Sequence, residues 1–287
     1  MPELPEVHAL AEDLRARLDS KAVARFELAA FSALKTYDPP PTALHGLVID
    51  GVQRRGKFLD VEASGLHLAF HLALGGWMRW RDSIPRKPLR MGKGPLAARV
   101  VLDDDSGFDV TEAGTQKRLA IYVVRDLADV PGIARLGPDP LDDAFTQEVF
   151  VGIVRSSGRA QLKGTLRDQS KIAGVGNAYS DEILHAAKLS PYKPSNSLTE
   201  TELEELYAAL RGVLTDAIAR SEGLAASELK AEKKSGLRVH GRTGEACPVC
   251  GDTIREVSFA DRAMQYCPTC QTGGKPLADR RMSRLLK

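Results

Sequence analysis

The 287-residue chain has four cysteines, set as two CxxC pairs: Cys247-Pro-Val-Cys250 and Cys267-Pro-Thr-Cys270, with 16 residues between them. Each CxxC places two thiolates on one tight turn, and two such turns closing on each other supply a tetrahedral S4 cage for Zn2+ that leaves no position for substrate. One structural zinc is therefore expected. A disulfide framework is the weaker reading, because the acidic, proline-rich start lacks the basic and apolar regions of a secretory signal. Between the pairs, GDTIREVSFADRAMQYC reads as two short strands with Arg262 near the tip. That arginine is either a solvated surface residue or a guanidinium held out on a metal-clipped turn, where it can grip phosphate in a bidentate way.

A second group of residues sits at the other end, in MPELPEV. Proline lacks a backbone N–H and fixes its own φ, so Pro5 suits the first turn of a helix. Pro2 needs a different account. If Met1 is trimmed, Pro2 becomes a free secondary amine with an acid, Glu3, beside it. In KIAGVGNAYSDEIL, Gly174 and Gly176 flank a turn and Asn177 begins or precedes a helix. This is a plain turn or a cradle in which backbone amides and a helix N-terminus receive an anion. Lys57, in QRRGKFLDVEA, lies in a basic patch entering a strand.

These residues need elements to position them. Val7, Leu10, Ala11, Leu14 and Leu18 recur at helical spacing directly after Pro5. From Leu47 to Arg125 the pattern turns to short β-like runs: FLDVEA and LHLAFHL around Ser64-Gly65, then ARVVLDD and FDVTE around Ser106-Gly107. Antiparallel hairpins in a sandwich or barrel follow. Prolines and glycines cluster in DVPGIARLGPDPLDD, which places a boundary near residue 135, and beyond it the pattern is helical, with Phe145, Val149 and Ile153 and then a long run from Glu202 to Arg220. Thr199 and Glu202 have capping-box spacing ahead of Leu203, Leu206, Tyr207, Leu210, Val213 and Leu214. ASELKAEKKSG reads as a mobile linker.

The net charge of +2 hides an asymmetry: residues 1–150 carry 19 Lys+Arg against 22 Asp+Glu, and residues 151–287 carry 21 against 16. The basic C-terminal part points either to a polyanion or to a solvated surface. With 43% hydrophobic and 27% charged residues the composition is that of a globular protein. No apolar run approaches the roughly 20 residues that span a bilayer. We expect an intracellular protein with no membrane partner.

In order along the chain, MPELPEV, RRGKFL, HLALGG, LKGTLRDQSKIAGVGNAYSDEIL, GRTGEACPVCG and RAMQYCPTCQ resemble the formamidopyrimidine-DNA glycosylase/endonuclease VIII family of base-excision repair enzymes. The resemblance implies an α+β chain: an N-terminal antiparallel β-sandwich with a leading helix over 2–135, a helix-two-turns-helix domain over 136–235, a zinc-finger β-hairpin over 236–272 and a basic tail over 273–287. It implies a cytoplasmic, nucleoid-associated monomer with damaged double-stranded DNA as the partner. It makes Pro2 the nucleophile at the sugar C1′, Glu3 the acid/base and Lys57 a proton donor that also holds phosphate. Arg262 falls at the phosphate that leaves, and His71, Leu74, Lys163 and Asn177 fall at other DNA contacts. The implied activity is a bifunctional glycosylase and abasic-site lyase acting on oxidised bases by β,δ-elimination. The alternatives are an oxidised-pyrimidine glycosylase like endonuclease VIII, and a catalytically weak damage-binding protein.

The chain departs from the family in two places. The Met of HLGMTG is replaced by Leu74, and DPRRFG is replaced by TEAGTQKRL, which leaves Lys117 or Arg118 as the only substitutes for the arginine that reads the opposite base. The stretch from Ile218 to Gly241 is also short where the family carries its lesion-capping loop. The tail adds Lys275, Arg280, Arg281, Arg284 and Lys287, as phosphate contacts or as a disordered end.

Overall fold

A computed structural model describes residues 1–85, 89, 94–259 and 262–278. The expectations for Arg280, Arg281, Arg284 and Lys287 lie outside the described residues. The chain forms two compact units, Met1–Arg135 with Ser221–Lys230, and Leu136–Arg220 with the chain from Ala231 onward.

The first unit opens with α1 (Leu4–Leu18), and Val7, Leu10, Ala11, Leu14 and Leu18 are all buried. Among the described residues eight strands follow: β1 (Val23–Leu28), β2 (Ile49–Arg55), β3 (Phe58–Ala63), β4 (Leu66–His71), β5 (Gly76–Arg81), β6 (Leu96–Leu102), β7 (Gly107–Glu112) and β8 (Ala120–Val124). They make two antiparallel sheets in the orders β1-β6-β7-β5 and β2-β3-β4-β8. Side chains alternate between the faces of a strand, so each sheet turns one apolar row inward. Leu59, Val61, Leu68, Phe70 and Ile121 of one sheet meet Phe26, Val100, Phe108 and Val110 of the other, together with the apolar stripe of α1. On the outer face of the second sheet, Phe58 and Val124 are covered by Val130 and by α2 (Pro131–Ala134), where a Cβ on Gly132 would come within 2.4 Å of the Phe58 ring. The Ser64-Gly65 turn has positive φ at both residues, 48° and 78°, as a two-residue hairpin joining right-twisted strands requires.

The segment ASELKAEKKSG, residues 226–236, was expected to be a mobile linker, and the structure corrects this: Leu229–Gly236 form a helix. Leu229 is buried in the sandwich core, Trp77 Nε1 donates to the Ala226 carbonyl at 2.9 Å, and Lys230 Nζ sits 4.4 Å from the Trp77 ring centroid. One leucine among charged neighbours is enough to anchor the segment.

The second unit contains α3 (Gln147–Ser156), α4 (Leu162–Arg167), α5 (Asn177–Ala186), α6 (Glu200–Ser221) and α7 (Leu229–Gly236), the last beginning in the first unit. The hairpin β9 (Arg255–Ser258) and β10 (Ala263–Tyr266) and the short α8 (Pro268–Thr272) complete it. On α3 the buried side chains are Phe150 and Val154, not Val149 and Ile153. Thr146 caps this helix by accepting the Val149 N–H, and that start fixes the rotation of its apolar face. The α6 capping box forms as expected: Thr199 N donates to Glu202 Oε2 at 3.0 Å, and Glu202 N to Thr199 Oγ1 at 3.2 Å. Leu203, Leu206, Leu210 and Leu214 are buried below it.

Candidate active site and metal centre

Pro2 is buried directly ahead of α1, and Glu3, which is 2% exposed, is the N-cap residue of that helix. Glu6 accepts the Glu3 backbone N–H at 2.8 Å while the Glu3 carboxylate accepts the N–H of Glu6, a reciprocal capping box. The capping residue is thus held twice over, and the nitrogen of Pro2 inherits its position.

Lys57 stands on the two-residue turn between β2 and β3, where Gly56 takes the left-handed φ of 57° that a tight hairpin needs. His71 ends β4 and faces Phe58, with ring centroids 4.7 Å apart. Burial, reinforced by the Lys57 ammonium nearby, lowers the His71 pKa to about 4, so the imidazole is neutral at physiological pH. The structure brings Lys57 and His71 together.

Leu74 is exposed, at 56%. Its loop is closed by the Gly76 N–H, which donates to the Leu72 carbonyl at 2.8 Å, and by Ala113 N–H, which donates to the Gly75 carbonyl at 3.0 Å. A Cβ on Gly75 would meet the Ala113 oxygen at 2.1 Å, so only glycine permits this closeness. The same contacts tie the Leu74 loop to the segment carrying Lys117 and Arg118. Glu112, whose importance the sequence reading missed, is a buried carboxylate that accepts Arg118 N–H at 2.7 Å and Leu119 N–H at 2.8 Å.

In the second unit, Asn177 is the first residue of α5, after Gly174 at φ 88° and the N-cap Gly176. The N-cap Gly176 has no side chain to cap α5, and no acid lies in the helix's first turn, so the partial positive charge of this end suits an anion. Gln169, also missed, pins the preceding turn by accepting Gly174 N–H at 3.0 Å and donating to the Val175 carbonyl at 2.7 Å. Asn177 Nδ2 donates to the Ala263 carbonyl at 2.7 Å, next to Arg262. Arg262 itself is exposed at the start of β10, its carbonyl accepting Phe259 N–H at 2.7 Å.

Lys163 is placed differently from a surface phosphate contact. It is 6% exposed, and its ammonium donates to Asp181 Oδ1 at 2.6 Å, Ser180 Oγ at 2.8 Å and the Asn177 carbonyl at 3.0 Å. Asp181 also accepts Gln265 N–H at 3.1 Å and lies 2.7 Å from His240 Nδ1. Glu182 accepts the N–H groups of Arg238, Val239 and His240 at 2.8–3.0 Å, although burial raises its pKa.

The Sγ atoms of Cys247, Cys250, Cys267 and Cys270 all lie within 4.8 Å of one another, and no two are joined as a disulfide. A tetrahedral zinc with Zn–S bonds of about 2.3 Å requires sulfurs about 3.8 Å apart. The distances of 3.3 Å for Cys250–Cys267 and 3.9 Å for Cys247–Cys270 bracket that value, and the donor set is all thiolate, so the residues fit the ion. Cys267 is the N-cap of α8, where its sulfur also accepts the Cys270 N–H.

Three family descriptions match the chain in sequence: the formamidopyrimidine-DNA glycosylase N-terminal domain over residues 1–118, its H2TH domain over 136–228, and the zinc finger found in FPG and IleRS over 244–273. A formamidopyrimidine-DNA glycosylase of Symbiobacterium thermophilum is 34% identical over 283 residues, covering 94% of this chain and 89% of that protein. The chain belongs to the formamidopyrimidine-DNA glycosylase family, and its four cysteines form that family's zinc finger, a site for one structural zinc.

Within the family, a Mycobacterium tuberculosis protein described as an uncharacterised formamidopyrimidine-DNA glycosylase-like protein is 57% identical over 161 residues, 56% of this chain and the whole of that one. The MutM (Fpg) protein of Thermus thermophilus has the same fold, with a TM-score of 0.79 at 32% identity, covering 96% of this chain and all of the other. Lactococcus lactis Fpg bound to DNA containing an abasic site superposes with a TM-score of 0.79 at 26% identity, covering 94% and 99% of the two chains. Among the described residues no helix is long and apolar enough to cross a membrane.

Proposed function

We propose that this protein is a bifunctional DNA glycosylase and abasic-site lyase that removes oxidised bases from damaged double-stranded DNA as a monomer. The observation that carries the reading is the N-terminal capping box: Pro2 is buried beside a Glu3 whose backbone and carboxylate are both fixed by Glu6. Removal of Met1 turns the Pro2 nitrogen into a secondary amine. An α-amino group's reference pKa of about 7.7–8.0 leaves a useful neutral fraction at neutral pH.

The amine lone pair attacks C1′ of the extruded nucleotide, the base leaves with the glycosidic electron pair, and the proton shed by the nitrogen neutralises the departing base. Glu3 protonates the sugar ring oxygen, and the ring opens to an iminium. The iminium acidifies the C2′ proton, whose loss expels the 3′ phosphate; a second elimination expels the 5′ phosphate. Having shed its one proton, a secondary amine has no second N–H to lose, so the iminium keeps its charge. In this scheme Lys57 and Arg262 hold the phosphates, the uncapped N-terminus of α5 with Asn177 receives another, and His71 contributes a neutral hydrogen-bonding group. Lys163 serves the same interface from below, by fixing Asn177 and Asp181. The domains follow as 2–135, 136–235 and 236–272, with residues 221–230 serving the first.

The test is borohydride trapping on a duplex with one abasic site, using protein whose loss of Met1 is verified by mass spectrometry. A covalent protein–DNA adduct is expected. A processed protein that binds this DNA and yields no adduct overturns the reading and leaves a damage-binding protein.

A further inference from the structure

Asn177, Asp181 and His185 stand four residues apart on α5, which stacks them turn above turn on one face of the helix. All three are directed at the zinc finger. Asn177 bonds to the Ala263 carbonyl, Asp181 accepts the Gln265 N–H, and His185 Nε2 lies 3.2 Å from Cys247 Sγ. His185 and Cys247 are both buried, so water does not compete for this contact.

We infer that His185 is a positioning residue of the zinc centre: it donates its Nε2–H to the Cys247 thiolate and thereby fastens the metal cage to α5. A zinc-bound cysteine is a thiolate and has only acceptor capacity. At 3.2 Å the shared proton must therefore reside on the imidazole, which sets the tautomer with hydrogen on Nε2. Four thiolates around one Zn2+ carry a net charge of −2, and two of them, those of Cys247 and Cys267, are buried. A donor from outside the cage disperses part of that charge and orients the sulfur, the role outer partners play at metal sites generally.

The consequence reaches Arg262. One rigid helix holds Cys247 at its C-terminal end through His185 and the start of β10 at its N-terminal end through Asn177. Closing the cage therefore fixes the hairpin against the helix at two points about two turns apart. The His185–Cys247 contact involves neither a phosphate nor Pro2, and is independent of the proposed reaction.

Two measurements test it. In the 113Cd-substituted wild-type protein, the His185 Nε2–H should show a through-hydrogen-bond coupling to cadmium by NMR; a His185 ring with its proton on Nδ1 and no such coupling overturns the inference. In the Co2+-substituted protein, His185→Phe removes the donor while keeping an aromatic ring. It should shift the sulfur-to-cobalt charge-transfer band to lower energy and weaken zinc retention against a chelator about 10- to 100-fold. His185→Gln, which restores an N–H at similar reach, should recover both. A folded His185→Phe protein with wild-type band position and zinc retention overturns the inference, as does a His185→Gln protein that recovers neither.

Discussion

Glu6 accepts the backbone N–H of Glu3 at 2.8 Å, so the residue that caps the first helix also fixes the chain beside the proposed nucleophile. Glu6→Ala should lower stability by about 1 kcal/mol, the usual cost of a lost cap. It should also slow borohydride trapping at least tenfold while affinity for abasic DNA is retained. Equal trapping rates in single-turnover experiments would separate the cap from the chemistry.

Glu3→Gln keeps the shape of the cap and removes the acid. Excision of an oxidised base should be lost, while strand cleavage at a preformed abasic site persists, because no glycosidic bond has to break there. Gel analysis of the two substrates side by side checks the split.

His71 supplies a pH dependence whose sign follows from burial. The unfolded imidazole takes its proton near the ordinary 6.5, and the folded one only at about 4, so between these values the unfolded chain binds more protons. The stability present above about pH 6.5 is therefore lost as pH falls toward 4. His71→Phe should flatten that loss. Urea midpoints of the two proteins at about pH 4.5 and about pH 7.5 give the comparison.

Salt dependence separates two kinds of lysine. Each phosphate contact contributes about 0.9 to the slope of log K against log salt on duplex DNA. Lys57→Ala and Arg262→Ala should each make the slope shallower by roughly that amount. Lys163→Met should leave the slope unchanged and instead cost stability on the order of 3–5 kcal/mol, because it strands the buried Asp181 carboxylate. A shallower slope for Lys163→Met would make it a direct contact.

Leu74 is exposed on a loop that glycine closes, so Leu74→Ala should change stability by less than about 0.5 kcal/mol. Extruding a nucleotide costs a few kcal/mol, least at mismatched or unpaired sites. The variant should thus lose activity on fully paired duplex and keep it on bubbles. Excision of one lesion opposite each of the four bases should show weak discrimination. A strong preference for cytosine would assign the reader's role to Lys117 or Arg118.

Much of this fold is legible in the sequence because its signals are local. The α1 stripe, the Thr199–Glu202 box and the two CxxC pairs each state their geometry within a few residues. β1 is missed because VARFEL lies ahead of Leu47, where strand-like alternation was expected to begin, and it takes its place only by pairing with β6. The α3 face is misjudged because its rotation is set by Thr146 rather than by the most apolar positions. The Lys163–Asp181 ion pair is illegible for a related reason: Asp181 lies 18 residues on, across a turn, and nothing in either residue's neighbourhood names the other. His185 is the exception. Its spacing of four from Asp181 and eight from Asn177 is visible in NAYSDEILHAA, and it acquires meaning only once the finger is seen to lie along that face.

Residues 221–230 complete the first unit from a position 86 residues beyond Arg135 at the nearest. During synthesis the sandwich emerges early, yet the slot that Leu229 fills and the indole N–H that Ala226 receives stay open until those residues have been made. At translation rates of roughly 5–20 residues per second the interval is on the order of 5–20 s. The half-finished N-terminal unit is thus a nascent-chain intermediate with an exposed apolar seam, and a messenger truncated anywhere before codon 229 encodes a sandwich that is never sealed.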